Sequence, residues 1–287
     1  MASNPEMSFK APPGTCDCHF HVFGDPGRYP LSADRRNTPP PDSALDDYLS
    51  LARRLGIERM VFVQPSTYGR DNSCLVDAIK AVAPNGRGIV DIDELAPDAE
   101  LQRLHDAGAR GVRVNAGRPN LGPTPGLLAG ILPRIQRLDA RCAELGWQLD
   151  FLGPSWLYEE MIEMMKGLKC HFTIAHMAMF SGTSGAASPG FQRLLGLLRH
   201  GDRRCWVKLS APYRIAEPPA YEDAAPIARA LIEAAPDRVI WGSDYPFLSH
   251  SERVEAVQLF NLIPQWMPEE SVRRQVLVDN PRRLFGF

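Results

Sequence analysis

Two histidines separated by one residue, His19 and His21, end the first strand-like run of the chain. Side chains two residues apart on a strand point to the same face, so both imidazoles are expected to face one site. His176 ends a later apolar run, and Asp244 ends the last of these runs. Imidazole and carboxylate groups are the usual side chains for acid–base chemistry and for binding metals. An acid at the end of an apolar strand must be desolvated, paired or functional.

Arginines follow two other strand-like runs. Arg113 lies within the run 111–115, and Arg214 follows the run 205–210. An arginine that points into a protein interior needs an anion, either from the protein or from a ligand. The sequence favours a ligand carboxylate; the alternative is an ion pair with Asp150 or Asp244. Arg118 is a weaker third candidate for the same role.

Neutral polar residues supply further candidate ligand contacts. Asn115 falls on the same strand face as Arg113, two residues on. Ser66 and Tyr68 follow the second strand-like run. Hydroxyl groups in such a position contact a ligand in some proteins and serve only as turn residues in others. Both interpretations stay open for Ser66 and Tyr68.

Eight short apolar runs alternate with segments of helical periodicity, which predicts parallel βαβ units. The runs are Cys16–Phe23, Met60–Ser66, Gly88–Ile92, Gly111–Asn115, Trp147–Leu152, Phe172–Met177, Cys205–Ser210 and Val239–Asp244. Eight such units predict an α/β fold, a (β/α)8 TIM barrel formed as a single domain by residues 1–287, with 1–14 as an N-terminal extension. An open doubly wound sheet is the rival, but its G-x-G-x-x-G loop does not follow the first run. The small, polar segment Gly182–Pro189 is expected to be a mobile loop.

The barrel gives the four acid–base candidates a common location. Catalytic groups of such barrels lie at the carboxyl ends of the strands. His19, His21, His176 and Asp244 are therefore expected to meet at one mouth of the barrel.

The composition excludes several classes of protein. The chain has 287 residues, of which 44% are hydrophobic, and a net charge of −2. The hydrophobic content excludes a disordered chain, and the near-zero net charge provides no electrostatic attraction to nucleic acid. No apolar run is long enough to span a membrane, and the first residues lack a signal-peptide pattern. The six cysteines fit no disulfide framework, so we expect reduced thiols and a cytoplasmic protein.

The motifs at the strand ends resemble those of the amidohydrolase superfamily. They are the H-x-H pair, the strand-six His176, the segment W-G-S-D-Y-P at 241–246 and the terminal D-N-P-R-R-L-F-G at 279–286. Within that superfamily the chain is similar to the 2-pyrone-4,6-dicarboxylate lactonase group, in segments that span nearly its whole length in order. Sugar lactonases and a lactone isomerase share these features.

The resemblance implies roles for individual residues. His19, His21, His176 and Asp244 match the catalytic set of the family, and Arg113 and Arg214 match arginines that hold substrate carboxylates. Arg118 matches a third such arginine only approximately. The chain departs from the family pattern at Ala175, where an acid often stands, and at 247–249, which replaces a loop of the pyrone lactonase.

A metal ion is the main open question about cofactors. His19, His21 and Asp244 could hold one Zn²⁺ or Mn²⁺ ion with open positions. The fourth run offers no bridging Lys or Glu, however, and the fifth offers no histidine. The pyrone lactonase group that the chain resembles is regarded as metal-independent. The sequence therefore favours catalysis without a cofactor, with one divalent metal as the alternative.

Two classes of enzyme remain. The favoured one is a hydrolase that opens a small carboxylated lactone in the catabolism of aromatic compounds or sugar acids. Asp244 would be its general base, and the histidines would polarise the carbonyl. The alternative is a mononuclear metal-dependent decarboxylase or hydratase, or a lactone isomerase, of the same superfamily. A degenerate barrel that only binds a ligand is a third possibility, and the sequence does not define the oligomeric state.

Overall fold

Eight parallel strands form one sheet in the order of the sequence, and each except the last pairs with the next along the chain. We describe residues 6–35, 37–117, 121–201 and 203–287 of a computed structural model. The strands are β1 (Cys16–Phe20), β2 (Arg59–Val63), β3 (Gly86–Val90), β4 (Ala109–Asn115), β5 (Gln148–Leu152), β6 (His171–Ile174), β7 (Cys205–Leu209) and β8 (Val239–Trp241). This arrangement confirms the predicted (β/α)8 barrel.

Backbone hydrogen bonds just beyond β8 bring the last strand against the first. The amide of His21 donates to the Tyr245 carbonyl at 2.7 Å, and the amide of Asp244 donates to the His19 carbonyl at 2.8 Å. Gly242 permits this approach, because a Cβ atom there would lie 2.6 Å from the Cβ atom of His19. The closure thus places the end of β8 beside His19 of β1 and beside His21, which directly follows β1.

Helices cover the outside of the barrel, as the alternating pattern predicts. They are α1 (Leu45–Leu55), α2 (Ser73–Ala81), α3 (Asp98–Asp106), α4 (Leu127–Leu145), α5 (Ser155–Lys166), α6 (Gly182–Ala187), α7 (Pro189–His200), α8 (Ala224–Ala234), α9 (Ala256–Phe260), α10 (Ile263–Trp266), α11 (Glu270–Arg274) and α12 (Asn280–Phe285). In α2 nearly continuous apolar residues hide the helical period, so periodicity alone does not predict this helix.

The expectation of a loop over Gly182–Pro189 is wrong, because α6 occupies most of it. Its two glycines have low helix propensity and hide the helix from a sequence analysis. Tertiary packing explains why Gly185 is tolerated. A Cβ atom at this position would lie 3.3 Å from the backbone of Phe180 and 3.6 Å from Ile227 of α8, so the small residue lets α6 pack closely.

The N-terminal residues dock on the barrel. Phe9 stacks on Phe260 of α9, with ring centroids 4.9 Å apart, and Asn261 hydrogen-bonds to the backbone of Glu6 and Ser8. All six cysteines lie among the described residues as buried thiols outside any disulfide bond, as expected. Among the described residues, no helix has the length and apolar character needed to cross a bilayer.

Candidate active site

The carboxylate of Asp244 faces the Nε2 atoms of three histidines at the mouth of the barrel. Its Oδ1 atom lies 3.5 Å from His19, 3.7 Å from His21 and 3.9 Å from His176. All four side chains are buried. The structure thus brings together the four acid–base candidates, because the carboxyl ends of β1, β6 and β8 meet at one mouth.

The other oxygen of Asp244 is engaged by two neighbours. The Tyr213 hydroxyl donates to Oδ2 at 2.5 Å, and Nε of Arg214 lies 3.3 Å from the same atom. Burial alone would raise the pKa of Asp244, but His176, Arg214 and His21, together with the Tyr213 hydrogen bond, hold it well below its usual range. Asp244 is therefore ionised at neutral pH, with Oδ1 free to act.

The three histidines are neutral at neutral pH. Burial, the largest effect, lowers the pKa of His21 to about 4 and that of His176 to about 3. It also takes the pKa of His19 well below its ordinary value. The positive charges of Arg113, Arg214 and Lys208 act in the same direction. Neutral imidazoles can each donate at one nitrogen and accept at the other.

A change of register in β1 points both histidines of the H-x-H pair into the site. Asp17 pairs with Met60 but Phe20 pairs with Phe62, so β1 uses one more residue than β2 over this stretch. Such a bulge reverses the side-chain alternation. Strict alternation along the strand would put Cys18 on the outer face with Phe20. The structure instead packs Cys18 in a buried cluster made mostly of strand residues inside the barrel.

Asp17 anchors this bulge. Its carboxylate accepts hydrogen bonds from the backbone amides of His19 and Ser243 and from the hydroxyls of Ser243 and Tyr48. The side chain is fully buried and lies between β1, α1 and the segment after β8. It therefore fixes the backbone that carries both His19 and Asp244.

His176 begins an unusual turn after β6. Four consecutive residues, 176–179, have φ between 52° and 58°, in the left-handed region that non-glycine residues rarely adopt. Each such residue costs roughly 1–2 kcal/mol. Asp244 also has a positive φ, of 60°. Backbone conformations of this kind cluster at functional sites, where the surrounding fold holds them in place.

The two predicted substrate-binding arginines lie at the same mouth and line a cavity of 1380 Å³. Arg113 is buried, and one Nη atom donates to the Gln64 carbonyl. Within the described part of the chain, no carboxylate lies within ion-pair distance of Arg113, since Asp150 contacts Lys208 instead. Arg214 does form the ion pair with Asp244 that the sequence left as an alternative.

The remaining predicted contacts separate into three cases. Asn115 and Ser66 line the cavity. Tyr68 is buried away from it, against Phe23 and Cys74, and its hydroxyl accepts a hydrogen bond from the Gly24 amide at 3.0 Å. Arg118 lies outside the described residues.

Tyr213 and Lys208 belong to the site but were not predicted from the sequence, and Asp150 was considered only as the ion-pair partner of an arginine. Tyr213 hydrogen-bonds to Asp244 from a one-turn helix after β7, where no spacing rule signals a functional group. Lys208 of β7 and Asp150 of β5 form a buried ion pair inside the barrel. A charged residue within an apolar strand is a signal that could have identified both.

The donor set at this mouth does not fit a divalent cation well. Ligand atoms of His19, His176 and Asp244 lie within 4.8 Å of one another, which is a compact set. However, Asp244 is the one carboxylate among them, and because Arg214 and Tyr213 already bind its Oδ2 atom, it has only Oδ1 to offer to an ion. The cations that lower the pKa values of the histidines would also repel a metal ion at short range.

Comparison with known proteins identifies the family. A family model for amidohydrolases matches residues 16–287. A 4-sulfomuconolactone hydrolase from Hydrogenophaga intermedia is 39% identical over 99% of this chain and 92% of that protein. A 2-pyrone-4,6-dicarboxylate hydrolase from Comamonas testosteroni is 33% identical over 99% of this chain and 94% of its own length.

Solved structures share the fold. One is a probable 2-pyrone-4,6-dicarboxylic acid hydrolase from Acinetobacter baumannii with citric acid bound. It superposes with a TM-score of 0.82 at 23% identity, covering 96% of this chain and all of that one. On the family match and the two relatives, this chain belongs to the amidohydrolase family.

Proposed function

We propose that this amidohydrolase hydrolyses the ring ester of a small lactone that carries an acidic group. The observation that carries the proposal is that the two carboxylate oxygens of Asp244 have different surroundings. Tyr213 and Arg214 bind Oδ2, whereas Oδ1 faces the histidines. The names of the two relatives support the same class of substrate, because both are hydrolases of acidic lactones.

The reaction begins with a water molecule beside Oδ1 of Asp244. As the water oxygen bonds to the lactone carbonyl carbon, Asp244 accepts one of its protons. The carbonyl oxygen becomes an oxyanion, which imidazole N–H groups stabilise by hydrogen bonding. The ring C–O bond then breaks, and the departing ring oxygen takes the proton from Asp244, whose low pKa favours its release.

Arg113 and Arg214 orient the substrate in this proposal. Both line the cavity that opens from Asp244, and a guanidinium binds carboxylate or sulfonate oxygens through several N–H donors. Such contacts hold the ester carbonyl near the water. The binding energy is thereby used to align the water oxygen with the carbonyl carbon. Arg113 is better placed for this role, because it forms no ion pair among the described residues.

We further propose that the reaction needs no metal ion. Neutral imidazole donors and a free carboxylate oxygen suffice for an activated ring ester, and the nearby cations disfavour metal binding. The sequence alternatives, a metal-dependent decarboxylase or hydratase, gain no support from this donor set.

A substrate screen tests both parts. Purified protein is assayed with 2-pyrone dicarboxylates, muconolactones with carboxylate or sulfonate groups, sugar lactones and uncharged lactones, with and without a strong chelator. We expect ring opening of the acidic lactones at equal rates in both conditions. A preference for uncharged lactones, or release of CO₂, would contradict the proposed activity. Loss of activity on chelation, restored by added zinc or manganese, would contradict the metal-free mechanism.

A further inference from the structure

A buried ion pair lies directly behind His19 and has no part in the reaction described above. It joins Lys208 of β7 to Asp150 of β5, and their side chains are 0% and 1% exposed. Nζ of Lys208 also lies 3.2 Å from Nδ1 of His19. The free-energy cost of removing two charges from water is as large as the energy gained from their attraction. A buried ion pair is therefore weak evidence that its residues serve stability.

The contact with Lys208 determines which nitrogen of His19 carries the hydrogen. An ammonium group has three N–H donors and no acceptor. Lys208 forms an ion pair with Asp150 and offers only N–H donors, so Nδ1 of His19 accepts from it. A neutral imidazole that accepts at Nδ1 carries its hydrogen on Nε2.

Nε2 of His19 is the atom that faces the reaction centre. It lies 3.5 Å from Oδ1 of Asp244 and is buried without a hydrogen-bond partner among the described residues. A buried donor without a partner is unfavourable, and a bound substrate oxygen would supply the missing acceptor.

His21, two residues along, has the opposite arrangement. Its Nδ1 lies 2.7 Å from the Val63 carbonyl, which can only accept, so Nδ1 carries the hydrogen. Nε2 of His21 therefore presents a lone pair towards Asp244. At Nε2, the atom that faces Asp244, His19 thus offers a hydrogen-bond donor and His21 an acceptor.

We propose that Lys208, held by Asp150, is a positioning residue that fixes His19 as the Nε2–H tautomer. His19 then donates to the carbonyl oxygen of the substrate in the transition state and keeps its own proton throughout. His21 accepts a hydrogen bond from the attacking water. The assignment of a carbonyl oxygen to His19 rests on the proposed lactone hydrolysis; the tautomer itself does not.

Nitrogen-15 NMR of histidine-labelled protein tests the tautomer directly. Two-bond nitrogen–proton correlations distinguish Nδ1–H from Nε2–H in each of the seven histidines. Loss of one set of signals in His19→Gln assigns His19. We expect Nε2–H for His19 and Nδ1–H for His21 in the unliganded enzyme; Nδ1–H at His19 would overturn the proposal.

The double variant Lys208→Met/Asp150→Asn tests the consequence for catalysis. It removes both charges together, so no unpaired ion remains buried. Loss of a complete oxyanion donor lowers kcat by about 10²–10³-fold. Only the Nε2–H fraction of His19 can donate to the oxyanion in this variant, so kcat should fall in proportion to that fraction, about 2-fold if the two tautomers are equally populated, while KM stays unchanged. The NMR signals of His19 should show both tautomers.

Asp139→Asn is the matched control. Asp139 is also buried, and it accepts hydrogen bonds from the amides of Lys169 and Cys170 before β6, at the opposite end of the barrel. The Asp139→Asn variant should have a lower melting temperature, with kcat and the His19 signals unchanged. A double variant that keeps the parental kcat would overturn the proposal. An intact Nε2–H signal in an enzyme that opens no lactone would instead overturn the proposed function.

Discussion

Replacing Gly242 by alanine should uncouple the end of β8 from β1 and lower activity far more than stability. A Cβ atom at this position would lie 2.6 Å from Cβ, 2.8 Å from the amide nitrogen and 3.1 Å from Cα of His19. Ordinary contacts of a Cβ atom begin near 3.4 Å, so the two segments must separate by close to 1 Å. Most of the contacting atoms are backbone, which cannot rotate away.

This separation acts on the atoms that do the chemistry. It stretches the hydrogen bond from the Asp244 amide to the His19 carbonyl and shifts His19 relative to Asp244. A displacement of about 1 Å at reacting groups costs on the order of 10²-fold in rate. Overpacking of a tight core costs about 1–3 kcal/mol of unfolding free energy. We therefore expect a folded enzyme with kcat lowered about 100-fold.

The assay is steady-state kinetics on the lactone found in the screen, together with thermal unfolding. Gly196→Ala in α7 is the control, because a Cβ atom there meets nothing within 4 Å. Alanine should stabilise that helix by roughly 0.5–1 kcal/mol and leave kcat unchanged. If Gly242→Ala retained full kcat, the close approach of β8 to His19 would not be what aligns the site.

Three further predictions concern individual groups of the site. Asp244→Asn should fold and lose about 10²–10⁴-fold in kcat through loss of the general base; a folded variant with near-normal turnover would remove Asp244 from the mechanism. Arg113→Met should raise KM for acidic lactones strongly, because a lost charged contact costs about 2–5 kcal/mol, and it should leave uncharged lactones unaffected. Since burial lowers the pKa of His21 to about 4, log(kcat/KM) should stay flat from pH 8 to about pH 5 and fall below that, as protonation removes the Nε2 lone pair. A decline centred between pH 6 and 7 would show that His21 has an ordinary pKa or that another group controls the reaction.

The sequence alone determined the barrel and the centre of the site. Eight apolar runs in alternation with helices define parallel βαβ units, and their carboxyl ends must meet at one mouth. His19, His21, His176 and Asp244 each end such a run, so their convergence follows from topology. Arg113 and Arg214 reach the cavity for the same reason.

Tertiary structure decided the contacts that give these residues distinct functions. The bulge in β1 reverses the side-chain alternation after Cys18, and no local pattern marks it. Tyr68 follows a strand as Ser66 does, yet a one-turn helix directs it into an apolar cluster away from the cavity. A residue on a loop has no fixed direction until the loop packs, so its role is not readable from spacing.

The partners of the imidazole rings depend on tertiary structure most strongly. Val63, Ser210 and Lys208 contact the Nδ1 atoms of His21, His176 and His19 from other strands or their ends, between 34 and 189 residues away in sequence. The residue type shows that an imidazole is present, but only its neighbours in space fix which nitrogen donates and which accepts. The sequence therefore determined which groups meet at the mouth, and the packing of the strands decided what each of them can do there.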